Sequence, residues 1–395
     1  MTTLDPRDLL PTDELRRFRD EVHQLAKEKI APQASLVDEE EFFNREVESL
    51  LWDRGLLTLT YPEEFGGWAQ YKTTALCIAV EEIAKYCASS ALLLIIQAVG
   101  SFPILHGGSP ALKQKYLPQM SEGRKLVAYL VTEPSSGSDV AGIQTTARKV
   151  GDRYFLKGSK CFSTNGGVAE LYSVLARTSP ERGKCSFFLV ERGSKGLSIG
   201  RTERKLGQRG SNTTEVFLDE VEVPAENLLG EEGEGFLIAM KDFDMSRPAI
   251  GAQALGIAEG ALETLLTSLR EKLQGEVSLK ELPILQSLIA ESAILVEASR
   301  GLIYRAALLN DEGLSNTKLA SMAKCFAADA AMKITTEMID AFQMLNGFGS
   351  MKASSLDRMF RDAKLTQIFE GTNQIQRLVI SRQILKEQLG RSIKV

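Results

Sequence analysis

Histidine is nearly missing from this chain: His23 and His106 are the only two. Neither has partners at a recognisable metal-ligand spacing, so no metal centre is expected. A Ser-His-Asp or Cys-His hydrolase would need one of the two, and no G-x-S-x-G elbow accompanies them. The five cysteines, Cys77, Cys87, Cys161, Cys185 and Cys325, are odd in number and far apart. That argues against a disulfide framework and for reduced thiols in a cytoplasmic protein. Charge of one sign is also lacking. The net charge is −5 with acids and bases interleaved, which offers no nucleic-acid footprint. The opening "MTTLDPRDLLPTDELRRF" has neither an apolar signal core nor an Arg/Ser-rich, acid-poor presequence. The longest apolar run, "ASSALLLIIQAVGSFPIL" at 88–105, is broken by serines, Gln97, Gly100 and Pro103. A buried core helix is therefore expected, and no membrane span.

What is present reads as three territories in 395 residues, with 44% hydrophobic and 25% charged residues as in ordinary soluble globular chains. Residues 1–125 read as an N-terminal helical domain. Thr12 is placed to cap "DELRRFRDEVHQLAKEKI", whose apolar positions recur at helical spacing until Pro32. The stretch 73–105 is long enough for two helices, and "SPALKQKYLPQM" suits a short one with Ser109 as cap and Pro110 in the first turn. Residues 126–232 switch to short runs rich in β-branched and aromatic residues, among them "KLVAYLVT", "RYFLKGSKCFS", "CSFFLVE" and "TEVFLDEVEVP". The residues 150–153 between two of them suit a hairpin turn. Strands with no helices between them imply an antiparallel barrel or sandwich rather than a Rossmann sheet, and no G-x-G-x-x-G opens a helix. Residues 233–395 carry long stretches with one apolar face, as expected of a four-helix bundle. The fold class is thus α+β: helical, then β-barrel, then bundle.

Several short stretches carry the chemistry. "YLVTEPSSGSD" at 129–139 ends a strand in small and hydroxylated residues that let a planar ligand approach closely, although an ordinary Pro/Ser/Gly turn has the same residues. "FSTNGG" at 162–167 repeats the theme with an aromatic that can cover a flat ring or sit in a β core. Asp244 and Arg247 stand three apart on an otherwise apolar helix, as a local ion pair or as ligand contacts. "QIFEGTNQIQ" at 367–376 sets Glu370 in an apolar run just before a helix that Thr372 can cap, a start whose N–H groups favour phosphate.

Taken together and in this order, these stretches resemble the acyl-CoA dehydrogenase family across nearly the whole chain. Thr132–Asp139 matches its T-E-P-x-x-G-S-D flavin loop. Phe162–Gly166 matches its W-[IS]-T-N-G segment with Phe for Trp, and Arg361–Thr372 matches R-D-A-[KR]-x-x-x-I-[YF]-E-G-T. The resemblance implies FAD as cofactor, Glu370 as the base that removes the α-proton of an acyl-CoA thioester, and hydride transfer from the β-carbon to the flavin. A water-poor pocket would raise the carboxylate toward neutrality. The thioester oxygen would be held by the Glu370 N–H and a flavin ribityl hydroxyl. Some branches carry the base where Ser246 stands here, and serine cannot serve.

The resemblance further implies flavin contacts from Tyr129, Val131, Thr132, Gly137, Ser138, Phe162 and Thr164. It implies contacts to the adenine-and-phosphate half from Gln343, Gly347, Thr372 and Gln374. The first two of these would come from a neighbouring subunit, so a homotetramer is expected. Substrate contacts are expected from Ile95, Ser138, Asp244, Arg247, Phe369 and Gly371, and an electron-transferring flavoprotein is the expected electron acceptor. One segment departs from the family: where R-x-x-F-G is usual, this chain has Lys272, Gly275 and Glu276, and Pro283 replaces a glutamine. "LLLIIQAVG" at 92–100 has no arginine to anchor a terminal carboxylate, so an uncharged aliphatic or alicyclic acyl group is expected. Two alternatives stay open: desaturation of an acyl group on a carrier protein, and a non-catalytic ligand-binding subunit of a heteromer, which the altered 272–283 segment favours.

Overall fold

The computed structural model describes residues 9–273, 283–346 and 355–390. Thr12 accepts a hydrogen bond from the Leu15 N–H at 3.2 Å and so starts α1 (Asp13–Leu25). This helix loosens through a π turn at Ala26–Ile30 and a 3-10 turn at Ala31–Gln33, around the Pro32 that was expected to stop it. Then come α2 (Ala34–Glu39), α3 (Arg45–Asp53), α4 (Lys72–Ala84), α5 (Ala88–Gly107) and α6 (Pro110–Ser121). The long apolar run is α5; by length and composition it alone among the described residues could cross a membrane, yet it lies buried in the core. Ser109 caps α6 through the Leu112 N–H at 3.2 Å.

Eight strands follow: β1 (Val127–Leu130), β2 (Thr146–Val150), β3 (Arg153–Thr164), β4 (Leu171–Arg177), β5 (Cys185–Glu191), β6 (Leu197–Thr202), β7 (Thr213–Pro224) and β8 (Leu228–Leu229). They form one sheet in the order β6-β7-β3-β2-β4-β5-β8, with β1 alongside β4. Val150 pairs with Arg153, so Gly151 and Asp152 make the expected tight turn, with Gly151 at φ +60°. Pairing is antiparallel except that β1 and one residue pair of β2 run parallel to β4, making the sheet mixed at that joint. β1 enters beside β4 because it arrives directly from the helical part rather than from a hairpin.

The C-terminal part is built from α7 (Gly235–Leu273), α8 (Pro283–Asp311), α9 (Thr317–Asn346), the short α10 (Leu356–Thr366) and α11 (Asn373–Leu389). α9 packs against the other four. Helix α7 also crosses α4 closely: a Cβ on Gly256 would meet Glu81 O at 2.2 Å, and one on Gly260 would meet Lys85 O at 2.3 Å. Only glycine permits that approach. Pro248 inside α7 cannot donate to the Asp244 carbonyl; Asn310 Nδ2 reaches it instead at 3.4 Å. Glu81, fully buried, receives Arg19 at 2.7 Å, Arg300 at 3.2 Å and the Tyr304 hydroxyl at 2.6 Å, tying α1, α4 and α8 together. Removing one partner from such a buried set leaves a stranded charge.

Candidate active site

A cavity of about 850 Å³ lies where β1 and the loop after it, β3, α5, α7 and the segment 365–382 meet. Glu370 lines it, and the turn that carries Glu370 is set by its neighbours. Glu370 has φ +56° and Gly371 has φ +88°. A left-handed glutamate costs energy and persists only where the surroundings hold it. Here Lys324 of α9 donates to Gly371 O at 2.8 Å and Asn373 Oδ1 at 3.0 Å. Gln376 Nε2 donates to Gly371 O at 2.9 Å, and Thr372 caps α11 through the Ile375 N–H at 3.3 Å. The Glu370 N–H itself has no acceptor among the described residues.

The carboxyl lies on the cavity wall. Burial lifts it to about 7, against the opposing pull of Arg247, the Ser246 hydroxyl at 3.2 Å and Lys324. Burial also drives the Lys324 ammonium down to about 7. Arg247 is buried, donates to Asp244 Oδ1 at 2.9 Å and Ser321 Oγ at 3.3 Å, and leaves its Nε without a partner among the described residues.

The loop after β1 is braced from beneath. Glu133 accepts from the Gln144 N–H at 2.5 Å, the Thr145 N–H at 2.9 Å and Lys160 Nζ at 2.8 Å. Lys160, fully buried, also donates to Val131 O at 3.0 Å. The register of β3 against β7 shifts between Lys160 and Ser163, and Phe162 sits in that irregularity at φ +51°. The bulge turns its ring out of the ladder, where it is 66% exposed on the cavity wall. An apolar ring left that open at a strained position marks a surface built to be covered.

Of the expected residues, the cavity brings together Tyr129, Val131, Thr132, Gly137, Ser138, Phe162, Thr164, Arg247, Phe369, Glu370 and Gly371. Ile95 is a correction. It is fully buried in the core, and Leu92 and Ile96, four apart on α5, face the cavity instead. Asp244 lies off the cavity wall, engaged by Arg247 and the Thr317 hydroxyl. Thr372 spends its oxygen on the helix cap and Gln374 is exposed; neither lines this cavity, nor does Gln343. Gly347, Gly275 and Glu276 fall outside the described residues.

Sequence reasoning missed the apolar wall of Phe236, Met240 and Phe243, spaced four and three apart on α7, and the α11 face of Ile375, Leu378, Val379 and Arg382. Both follow helical spacing, so the signal was present in the pattern. It also missed Arg204 and Lys205 on the loop after β6, which no motif marked.

The chain matches the N-terminal, middle and C-terminal domains of acyl-CoA dehydrogenases over residues 12–124, 128–221 and 233–385. It is 60% identical over 377 residues to a cyclohexane-1-carbonyl-CoA dehydrogenase of Geobacter metallireducens, covering 95% of this chain and 98% of that one. Its identity to a protein of the same name from Syntrophus aciditrophicus is 54% over 379 residues, covering 95% and 98%. The structure of butyryl-CoA dehydrogenase from Megasphaera elsdenii superposes with a TM-score of 0.89 at 37% identity, again covering 95% and 98%. With the three domains in order around one cavity, the chain belongs to the acyl-CoA dehydrogenase family.

Proposed function

We propose that this protein dehydrogenates a neutral alicyclic acyl-CoA of the cyclohexane-1-carbonyl type at its α and β carbons, with Glu370 as the base. The observation that carries this reading is Glu370 itself: a cavity-facing carboxylate raised to about 7 by burial, in a turn fixed from three sides. A base poised near the working pH is what α-proton removal requires.

The family's cofactor is FAD, and the residues present fit it. Phe162 offers an uncovered ring, Thr132, Ser138 and Thr164 offer hydroxyls, and Gly137 leaves backbone open, all on one cavity. These residues would hold the flavin. FAD, when bound, supplies the acceptor for the β-hydride, so that loss of proton and hydride together leaves the 2-enoyl-CoA. Glu370 takes the α-proton on its carboxylate. Its unpartnered N–H is available to donate to the thioester oxygen as negative charge grows there. Leu92, Ile96, Phe236, Met240 and Phe243 give the acyl group an apolar wall that excludes water. Arg247, the cavity arginine beside Glu370, is already paired with Asp244, so its charge is partly compensated before any substrate arrives. The two cyclohexane-1-carbonyl-CoA dehydrogenases support the ring.

We further propose a homotetramer and an electron-transferring flavoprotein as acceptor. Exposed Ile284, Ile294, Met344, Leu385 and Leu389 on α8, α9 and α11 support self-association.

The test is anaerobic mixing of the yellow protein with cyclohexane-1-carbonyl-CoA, butyryl-CoA and glutaryl-CoA. Fastest bleaching with the ring substrate is expected. Faster bleaching with glutaryl-CoA would refute the substrate assignment, and a protein that takes up no flavin when FAD is supplied would refute the enzyme.

A further inference from the structure

Lys160 carries an ammonium into the interior: its side chain on β3 is 0% exposed. β1 ends its pairing with β4 at Leu130, so no strand partner fixes the three residues that follow. Lys160 does so instead. Its ammonium donates to Val131 O at 3.0 Å and to Glu133 Oε1 at 2.8 Å, one residue on either side of Thr132. The next residue on β3 completes the grip, the Cys161 N–H donating to Thr132 O at 2.9 Å. Glu133 is anchored at its far side by the Gln144 and Thr145 N–H groups, and the Arg177 N–H of β4 donates to Thr145 O at 2.7 Å. Beyond Cys161 comes Phe162 in the bulge, and Thr132, Cys161 and Phe162 all line the cavity. A buried ion pair adds little net stability over apolar side chains of the same volume. What this pair adds is a fixed spacing between two cavity segments that strand pairing does not join.

We propose that Lys160 is a positioning residue for FAD. By gripping the chain on both sides of Thr132, it holds the Thr132 hydroxyl at a set distance from the Phe162 ring. The flavin then meets a seat already formed, and binding does not have to order those two side chains. This inference rests on the cavity being the flavin site. Without the ammonium, the 131–133 segment loses two of its three ties to β3, and Glu133 is left as an uncompensated buried charge.

The experiment titrates flavin-stripped, full-length protein with FAD, following flavin fluorescence, and measures kcat at saturating FAD. The variants are Lys160→Met, Lys160→Met with Glu133→Gln, Thr132→Val, and Thr132→Val with Lys160→Met, each with its urea midpoint. Lys160→Met should weaken FAD binding about tenfold and lower kcat of the loaded enzyme by about ten- to a hundredfold. The variant lacking both charges should recover the urea midpoint but not the FAD affinity. Thr132→Val removes the hydroxyl that the lysine places, so adding Lys160→Met to it should cost little further affinity. That non-additivity supports the proposal, because a role confined to stability would move the urea midpoint and leave FAD affinity in place. Wild-type affinity in Lys160→Met overturns it, and so do equal losses with and without the Thr132 hydroxyl. If Lys160→Met does not fold, the variant lacking both charges decides alone: weaker FAD binding supports the proposal and wild-type affinity overturns it. A wild-type protein that takes up no FAD overturns the underlying cofactor reading instead, a result read without any variant.

Discussion

The Ser246 hydroxyl lies 3.2 Å from Glu370 Oε2 and 3.2 Å from Phe243 O. It has one proton for two acceptors, so it steadies the carboxylate without committing to it. A tightly solvated carboxylate would be a poor base. Weak engagement and burial act in the same direction, leaving Glu370 at about 7.

Glu370→Gln should therefore lose activity and gain stability. The amide cannot take the α-proton, and removing a general base costs typically about 10²–10⁴-fold. Between the unfolded carboxyl value of about 4.3 and the folded value of about 7, the native state keeps a proton that the unfolded state releases. Wild-type stability thus falls as pH rises through that window. At pH 8 the glutamine variant should be more stable by on the order of 2 kcal/mol, and at pH 4 the two should match. Turnover assays and urea denaturation at both pH values check this. More than a tenth of wild-type activity would sink the assignment.

Lys324 is expected to matter through the turn. Lys324→Met keeps length but drops the donors to Gly371 O and Asn373 Oδ1, each bond of the charged kind whose loss costs about 1.5–3 kcal/mol. The Glu370 backbone at φ +56° would then be less well held, and kcat should fall by about tenfold. The pH dependence has the opposite sign to that of Glu370. A lysine lowered to about 7 leaves the unfolded state holding more protons from pH 7 to about 10, so wild-type stability rises with pH there. The destabilisation by Lys324→Met should consequently be larger at pH 9 than at pH 6. Equal effects at both would show that the ammonium is not desolvated.

Much of this site was legible in the sequence because its residues sit in local motifs. Thr132–Asp139, Phe162–Gly166 and Phe369–Thr372 each combine small, hydroxylated and aromatic residues whose purpose is local, and the cavity unites them. The helix caps at Thr12, Ser109 and Thr372 were readable for the same reason. What failed was facing. Ile95 and Ile96 are chemically alike and adjacent, and only the angle at which α5 packs decides which one meets the cavity. The Asp242–His106 pair joins residues 136 apart in sequence and has no local pattern at all. The parallel seating of β1 on β4 was hidden likewise, since period-two patterning does not tell direction.

The facing of α5 gives a paired test. Leu92→Ala and Ile96→Ala should enlarge the acyl wall and raise kcat/KM for acyl groups bulkier than a cyclohexane ring relative to the ring itself, with a loss of stability for the buried Leu92 and a smaller one for the half-buried Ile96. Ile95→Ala removes a fully buried side chain, so it should destabilise the fold by about 2–5 kcal/mol and leave selectivity unchanged. Selectivity profiles and denaturation midpoints for the three variants decide it. A selectivity change in Ile95→Ala would show that the wall is formed by the other face of α5.

FAD retention provides the last test. The resemblance places an arginine where Lys272 stands, gripping the pyrophosphate of a neighbouring subunit's FAD. Lys272 is exposed near the end of α7, and its ammonium donates to Leu345 O near the end of α9, two residues past Gln343. Its charge is thus occupied within its own chain, and lysine lacks the planar fork that holds two phosphate oxygens at once. Losing one charge-assisted contact weakens binding by about ten- to a hundredfold. Wild-type protein should therefore shed FAD on long dialysis, with the flavin absorbance falling against the protein absorbance. The triple variant Lys272→Arg, Gly275→Phe, Glu276→Gly restores the residues that the resemblance implies at these positions, so it should retain more. Stoichiometric FAD in the wild type, with no gain in the triple variant, would mean that this segment does not hold the cofactor and that other residues, Arg204, Lys205 or Arg382 of the cavity among them, carry the phosphates.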